Sequence, residues 1–310
     1  MFTAKTYEDV KKAVSFAAEH NIRLTLLNSG HDFLGRNDAP SGLSLDVSQL
    51  AGVRVLSSFT PSAQGAEAPL SEPNVITPGS GQAAVTFGAG VSTQQLNDAL
   101  APSNLFTLGA AHGSVKTAGG WGQAGGHAPL SSKYGLGVDQ VLEYKVVTAD
   151  GKLLVANKVV NADLFWALRG GGGSTFGVVV EATVKAYTSP KITVTNWWIN
   201  ATNAAEPDTS VLPAWRKSYV HLIGTGAGAF MADSLRTLAP DTGAYVNEAH
   251  FKNPNWKTDF WGTNYERLSE IKSQYDPNGL FWATPGINAD HYEVQNGRVC
   301  KVTPVDSSMA

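Results

Sequence analysis

Residues 28–36 read NSGHDFLGR and directly follow IRLTLL at 22–27, a short apolar run that is typical of a buried strand. A strand that ends in a histidine between two glycines has two interpretations. It is either a tight turn with a spare polar residue, or a loop that presents its backbone and one imidazole to a ligand. A lone loop histidine is more often structural than catalytic, so the choice depends on the rest of the chain.

The composition of the 310-residue chain excludes several classes of protein. Hydrophobic residues make up 43% and the mean hydropathy is −0.12, which indicates a soluble globular protein with a sizeable core. The net charge of −3 gives no electrostatic support for nucleic-acid binding, and no apolar run is long enough to cross a bilayer. Because Cys300 is the only cysteine, we expect neither an internal disulfide nor a thiolate metal cluster.

The N-terminal residues MFTAKTYEDVKKAV enter a helical pattern directly and contain no hydrophobic signal region. The cellular location is therefore unknown from this chain. Secretion is expected only if a full-length gene product carries a signal peptide, and the sequon at 200–202 matters only in that case.

Glycine is the unusual residue of the composition, with 32 copies in 310 residues against an average of ~7%. The glycines cluster between strand-like segments, at 79–90, 109–126, 135–137, 170–177 and 224–228. Such clusters indicate backbone that must come close to another group.

Apolar periodicity and turn residues predict an α+β fold with two strand-rich lobes. A capping box at Thr6 begins a helix whose inner face carries Val10, Val14 and Ala17. Further helices are predicted at 92–100, 161–170 and 256–277, the last with Phe260, Tyr265, Leu268 and Ile271 on one face. Strands are predicted at 22–27, 42–50, 53–56, 75–78, 84–90, 105–109 and 176–187, with a hairpin at 141–156 that turns at Asp150-Gly151.

Common catalytic motifs are absent from the sequence. Residues 120–125 spell GxGxxG, but no strand precedes them and GHAPLSS follows, so we reject a Rossmann site. There is no P-loop, no HExxH and no GxSxG. The seven histidines lack metal spacing, so no metal is predicted. We assign His20, His221 and His291 to the surface or to helix ends, whereas His112 and His127 lie in glycine-rich loops and are less easily dismissed.

Four stretches together resemble the fungal FAD-linked oxidases of the berberine-bridge-enzyme-like group, in the vanillyl-alcohol-oxidase superfamily. They are residues 28–36, 119–151, 161–187 and 260–281. The resemblance implies a PCMH-type FAD-binding domain over 1–190, with lobes at about 1–56 and 73–190. It also implies a shortened substrate domain over 191–243 and a C-terminal segment over 244–310 that returns to the FAD domain.

The resemblance favours a ligand-binding role for the loop at 28–36. In the family, the corresponding loop supplies main-chain N–H groups to the FAD pyrophosphate. The resemblance implies that the cofactor contacts are Asn28, Ser29, Gly30, His31, Asp32, Gly119, Gly120, Gly125, Gly126, His127, Gly137, Val138, Gly177, Val178, Val179 and Asn247.

The family histidine that corresponds to His31 is joined to the 8α-methyl carbon of the flavin. Many relatives carry a second link from a cysteine, whose place here falls at about Gly113. No cysteine lies near, so we expect one histidyl link. Ala124 stands where relatives often have glycine.

The implied reaction is hydride transfer from an alcohol, sugar or secondary-metabolite carbon to flavin N5, followed by reoxidation with molecular oxygen. In place of the family's YxNY-like motif the chain has Tyr245-Val-Asn247-Glu248. Glu248 and Tyr245 are the candidate catalytic residues. The alternative is that Asn247 and Glu248 only fasten their segment to the flavin domain.

The sequence is compatible with three functions. The first is a covalent flavoprotein oxidase with a small-molecule substrate and no nucleic-acid or membrane partner. The others are a non-redox member, such as a cyclase or flavin-binding scaffold, and a dehydrogenase that uses another electron acceptor. Because 191–243 is short, we expect an open flavin face; substrate and oligomeric state are not determined.

Overall fold

The computed structural model describes residues 1–38, 41–63, 82–190, 208–223 and 230–302. The predicted strand at 75–78 lies outside these residues, as do Trp197, Trp198 and the glycine-rich segment 224–229.

The described chain alternates strands and helices, which confirms the mixed fold. The strands are β1 (Phe2–Thr3), β2 (Leu24–Leu27), β3 (Leu43–Asp46), β4 (Val53–Leu56), β5 (Ala84–Gly88), β6 (Leu105–Phe106), β7 (Val141–Val147), β8 (Leu153–Asn157), β9 (Val178–Lys185), β10 (Tyr187–Thr188), β11 (Tyr292–Gln295) and β12 (Arg298–Lys301). The helices are α1 (Tyr7–Glu19), α2 (Thr93–Leu100), α3 (Gly120–Ala124), α4 (Ser131–Tyr134), α5 (Ala162–Leu168), α6 (Phe230–Leu238), α7 (Trp256–Trp261) and α8 (Tyr265–Tyr275). Short 3₁₀ turns are Ala101–Ser103, Gly137–Asp139, Pro213–Arg216, Gly262–Asn264 and Ala289–His291.

Two sheets organise the fold. The first is parallel, in the order β1-β3-β2, and the second is antiparallel, in the order β4-β5-β9-β7-β8. The sequence prediction placed β4 at the end of the first lobe. Instead, Val53 to Leu56 pair with Phe87 to Ala84 of β5, because this antiparallel register buries Leu56 in the larger sheet. The division into domains stays a prediction.

Helix α1 connects the two sheets. Its predicted capping box is present, since the Thr6 hydroxyl accepts from the Asp9 N–H and the Asp9 carboxylate accepts from the Thr6 N–H. Val10, Val14 and Ala17 are fully buried, and the helix packs against β3 as well as β7 and β9. The 3.6-residue periodicity of the sequence therefore predicted the core face of this helix correctly.

Strand β9 lies at the centre of the larger sheet, and all eight of its residues are buried. Its buried polar side chains pair with those of the neighbouring strands: the Thr86 and Thr183 hydroxyls lie 2.8 Å apart, and Lys145 is 2.9 Å from Glu181. The strand begins directly after Gly177, so its start carries the chain to the edge of the site described below.

The predicted helix over 256–277 is interrupted. Gly262 has φ +56, a left-handed conformation that ends α7, and a 3₁₀ turn then leads into α8. Tyr265, Leu268 and Ile271 still share the buried face, as their spacing predicted. Periodicity could not reveal the break, because both halves present apolar residues to the same core.

Within the described residues, none of the helices combines the length and the apolar character that a membrane crossing requires.

Candidate cofactor and substrate site

A cavity of about 390 Å³ lies where the C-terminal end of β2, the start of α3, the start of β9 and the turn at 245–248 meet. This volume lies in the usual range for small-molecule sites. Of the predicted residues, the cavity is lined by Asn28, Ser29, Gly30, His31, Asp32, Gly119, Gly120, His127, Gly177, Val178, Val179, Tyr245, Asn247 and Glu248. The structure therefore brings together segments that are far apart in the sequence.

The loop after β2 presents His31 at the edge of this cavity. Gly30 has φ +76, which glycine adopts without strain, and this turns the chain out of the strand. The Nε2 atom of His31 lies 2.8 Å from the Ser114 hydroxyl oxygen, which in turn lies 2.9 Å from Nδ1 of His112. A hydrogen-bonded chain of two imidazoles and one hydroxyl thus fixes the orientation of His31.

Asp32 does not face the cavity as a free carboxylate. It accepts hydrogen bonds from the Arg36 backbone N–H at 2.7 Å and from the Arg36 guanidinium at 2.7 Å. Both side chains are mostly buried, with 14% and 13% exposed. The ion pair joins the two ends of the loop at 32–36 and so holds its conformation, which is a structural role for Asp32 and Arg36.

The glycines at the start of α3 leave no room for side chains. A Cβ on Gly173 would lie 2.8 Å from the Gly120 Cα, and one on Gly119 would lie 3.0 Å from the Asn28 amide nitrogen. Backbone therefore packs on backbone between Gly173 and Gly120, as the glycine clusters predicted, while the Asn28 side chain fills the space beside Gly119.

Four predicted cofactor residues do not line the cavity. Gly125 and Gly126 instead pair with the 3₁₀ turn at 137–139: the Gly137 N–H donates to the Gly126 carbonyl at 2.7 Å, and the Val138 N–H donates to the Gly125 carbonyl at 3.1 Å. A Cβ on Gly126 would lie 2.8 Å from the Gly137 Cα. Close backbone approach accounts for these glycines, and the contacts with the cofactor that the resemblance implied for them stay a prediction.

Several cavity residues were missed from the sequence, among them Arg36, Gln123, Ser174 and Trp282. Two amide oxygens in the wall are buried without a hydrogen-bond partner among the described residues: the side-chain oxygens of Asn28 and Gln123. A buried unpaired acceptor is costly. Both atoms are suited to accept from a ligand in the cavity.

The turn at 245–248 forms the opposite wall. The Glu248 backbone N–H donates to the Tyr245 carbonyl at 3.0 Å and closes the turn. The Glu248 carboxylate oxygen Oε1 lies 3.0 Å from Nε2 of His127. Its other oxygen, Oε2, is buried and has no hydrogen-bond partner among the described residues, with the nearest ion-pair partner, His221 Nε2, at 3.7 Å.

His221 was assigned to the surface from the sequence, and this was wrong. Its side chain is only 15% exposed and contacts His127, Trp215 and Tyr245 through ring packing. Burial lowers the pKa of the His221 imidazole to about 4, with His127 adding to the effect and Glu248 opposing it. His221 is therefore neutral at neutral pH.

Tyr245 is held on several sides. Its hydroxyl accepts a 2.7 Å hydrogen bond from the Asn247 amide, which also donates to the Gly120 carbonyl at 2.9 Å. Burial raises the pKa of the Tyr245 phenol well above its usual value, and the Glu248 carboxylate adds to this. The phenol thus stays protonated at neutral pH.

Comparison with known proteins identifies the family. The profile described as "FAD binding domain" matches residues 1–157, and the profile described as "Berberine and berberine like" matches residues 244–288. The chain belongs to the berberine-bridge-enzyme-like family of FAD-linked oxidoreductases. The resemblance read from the sequence is confirmed by these two matches.

An FAD-linked oxidoreductase of Arthroderma benhamiae is 36% identical over 90% of this chain. This chain covers 45% of that relative, and between 26% and 78% of the curated relatives compared. Among solved structures, the VAO-type flavoprotein MtVAO615 of Myceliophthora thermophila C1 has a TM-score of 0.74 at 22% identity, over 96% of this chain and 81% of that chain. Chitooligosaccharide oxidase has a TM-score of 0.69 at 15% identity, over 92% and 90%. These two likenesses establish the fold.

The residues of the cavity fit the FAD that the family binds. Gly119, Gly120 and Gly173 line the cavity with backbone and add no side chains to it, which suits a flat or extended group that lies close to the backbone. The unpaired acceptors of Asn28 and Gln123 match the N–H and hydroxyl donors of a flavin and its ribityl chain.

Proposed function

We propose that this chain is an FAD-dependent oxidase that carries its flavin on His31. Its substrate would be an alcohol, a sugar or a secondary metabolite, and molecular oxygen would be the final electron acceptor. The single observation that supports this proposal is that a half-buried carboxylate, Glu248, shares one cavity with His31 and the glycine backbone. FAD, when bound, supplies the hydride acceptor at N5.

Oxidation of a carbinol carbon releases a proton as well as a hydride, so the protein must provide a base. Glu248 is our candidate. Oε1 is oriented by the 3.0 Å contact with His127, and the buried Oε2 has no hydrogen-bond partner among the described residues, so its lone pairs are unpaired.

Tyr245 suits a positioning role better than proton abstraction. Its raised pKa keeps the phenol protonated, and its hydroxyl is already bonded to Asn247. Asn247 ties this turn to Gly120 and to Arg36, so Tyr245 and Asn247 hold Glu248 at a fixed distance from the glycine backbone.

The choice of an oxidase over a dehydrogenase is supported by the fold shared with chitooligosaccharide oxidase, a protein whose name describes oxidation of a sugar. The same likeness suggests sugars and oligosaccharides as the first substrates to test.

The experiment is anaerobic mixing of the flavin-loaded protein with a panel of sugars, oligosaccharides and aryl alcohols. An oxidase will lose its visible flavin absorption when a substrate is added. When air is admitted, the absorption will return and hydrogen peroxide will be formed. Recovery only with an artificial acceptor would indicate a dehydrogenase instead. A protein that is not bleached by any of these substrates would contradict the redox proposal.

Glu248→Gln tests the base. It keeps the size of the side chain, and we expect flavin binding to persist while flavin reduction slows by about 10²- to 10⁴-fold. Glu270→Gln, an exposed glutamate on α8, is the matched control and should leave the rate unchanged.

A further inference from the structure

We propose that His127, His221 and Glu248 form a binding site for a divalent transition-metal ion of the zinc class. One ring nitrogen of each histidine and a carboxylate oxygen of Glu248 lie within 4.8 Å of one another. No motif in the sequence predicted this cluster, since His127 and Glu248 are 121 residues apart.

The distances between the donor atoms match a tetrahedral ion with small adjustments. His127 Nε2 lies 3.0 Å from Oε1 of Glu248, and His221 Nε2 lies 3.7 Å from Oε2. Two ligands at about 2.0–2.1 Å from a tetrahedral ion lie about 3.4 Å apart. Modest rotations of the two imidazoles therefore place all three donors around one ion.

The chemistry of the donors selects the kind of ion. Two imidazole nitrogens and one carboxylate oxygen suit Zn²⁺, Cu²⁺ and Ni²⁺, whereas Mg²⁺ and Ca²⁺ prefer sets made of oxygen. Three protein ligands leave a fourth position open, as in zinc sites that bind water or a substrate.

The surroundings hold the ligands in place and leave a path to the site. The Trp215 ring stacks on His127 at 6.1 Å between centroids and meets His221 edge to face at 5.1 Å. Tyr245 contacts both histidine rings, at 5.2 and 6.0 Å. The three ligand side chains keep 15–19% exposure, and two of them line the cavity.

If Glu248 is the catalytic base, as the proposed function has it, metal binding also affects turnover. An ion at this site would occupy the carboxylate that we assign as base. We therefore expect Zn²⁺ to inhibit flavin reduction reversibly, with full recovery after chelation.

The test is isothermal titration of the untagged, flavin-loaded protein with Zn²⁺ after treatment with a chelator. We expect one ion per chain. His221→Ala and Glu248→Gln should each weaken the affinity by at least about tenfold. Glu248→Gln also covers the case in which His221→Ala disturbs the fold, because the amide can keep the hydrogen bond to His127.

Two matched variants exclude other zinc ligands. His20→Ala removes an exposed histidine at the end of α1, and Cys300→Ser removes the free thiol. Both should bind Zn²⁺ as the unaltered protein does. No saturable binding, or binding that survives both ligand variants, would overturn the metal site. If that happens while Glu248→Gln still slows flavin reduction, the proposed function stands without the metal.

Discussion

The Arg36 guanidinium donates a 2.8 Å hydrogen bond to the side-chain oxygen of Asn247, 211 residues further along the chain. Since Arg36 is also paired with Asp32, and Asn247 also donates to Gly120 and Tyr245, this one bond joins the histidine loop, the glycine backbone and the turn that carries Glu248. Three separate segments thus form one wall of the cavity.

Replacing Asn247 tests this junction. Asn247→Leu should lower the free energy of unfolding by about 1–3 kcal/mol, because it leaves the buried Tyr245 hydroxyl and the Gly120 carbonyl without their donor. Asn247→Asp keeps an acceptor for Arg36 but loses the same donor, so it should also be destabilised. Denaturant unfolding measures both, and an unchanged midpoint for Asn247→Asp would show that the donated bonds contribute little.

The covalent flavin is tested at His31. His31→Ala should bind FAD that acid precipitation releases completely, whereas the unaltered protein should retain flavin in the pellet. His20→Ala, with an exposed histidine at a helix end, should behave as the unaltered protein does. If acid already extracts all flavin from the unaltered protein, the covalent link is wrong.

A single attachment is expected, because Gly113 stands at the place of the second family link. Peptide mapping after proteolysis should find one flavin adduct per chain, on the peptide that holds His31. An adduct on Cys300, or two adducts per chain, would disprove this.

The flavin face is expected to be open. The segment over 191–243 is short, and Trp215 is one of its few described aromatic side chains buried against the site. We therefore expect iodide to quench flavin fluorescence, sulfite to add readily, and turnover on small alcohols to be low compared with larger sugars. Strong protection from iodide with fast turnover of a small alcohol would show a closed pocket.

A buried lysine, Lys272, fastens the C-terminal segment to the site. Lys272 of α8 is fully buried and donates to Asp276 and to the Thr175 carbonyl, next to the cavity residue Ser174. Burial lowers the pKa of its amino group, so the charge depends on these partners. Lys272→Met leaves the buried Asp276 carboxylate without its cationic partner and should cost about 3–5 kcal/mol of unfolding free energy. Lys12→Met, on the exposed face of α1, is the control and should change it by less than about 0.5 kcal/mol.

The sequence by itself determined most of the elements, since their signals are local. Capping boxes at Thr6 and Ser92, the hairpin turn at Asp150-Gly151 and the apolar run of β9 all lie where the pattern placed them. The resemblance to the family then identified the His31 loop and the 245–248 turn, because both are contiguous motifs.

Only the tertiary structure decided what depends on distant contacts. The pairing of β4 with β5, the break at Gly262 and the burial of Gly125 and Gly126 against Gly137 each follow from packing between segments. The same holds for His221, whose neighbours Trp215, His127 and Glu248 come from three parts of the chain. A sequence pattern records the periodicity of one segment, whereas burial, pKa and donor geometry arise from the segments that pack around it.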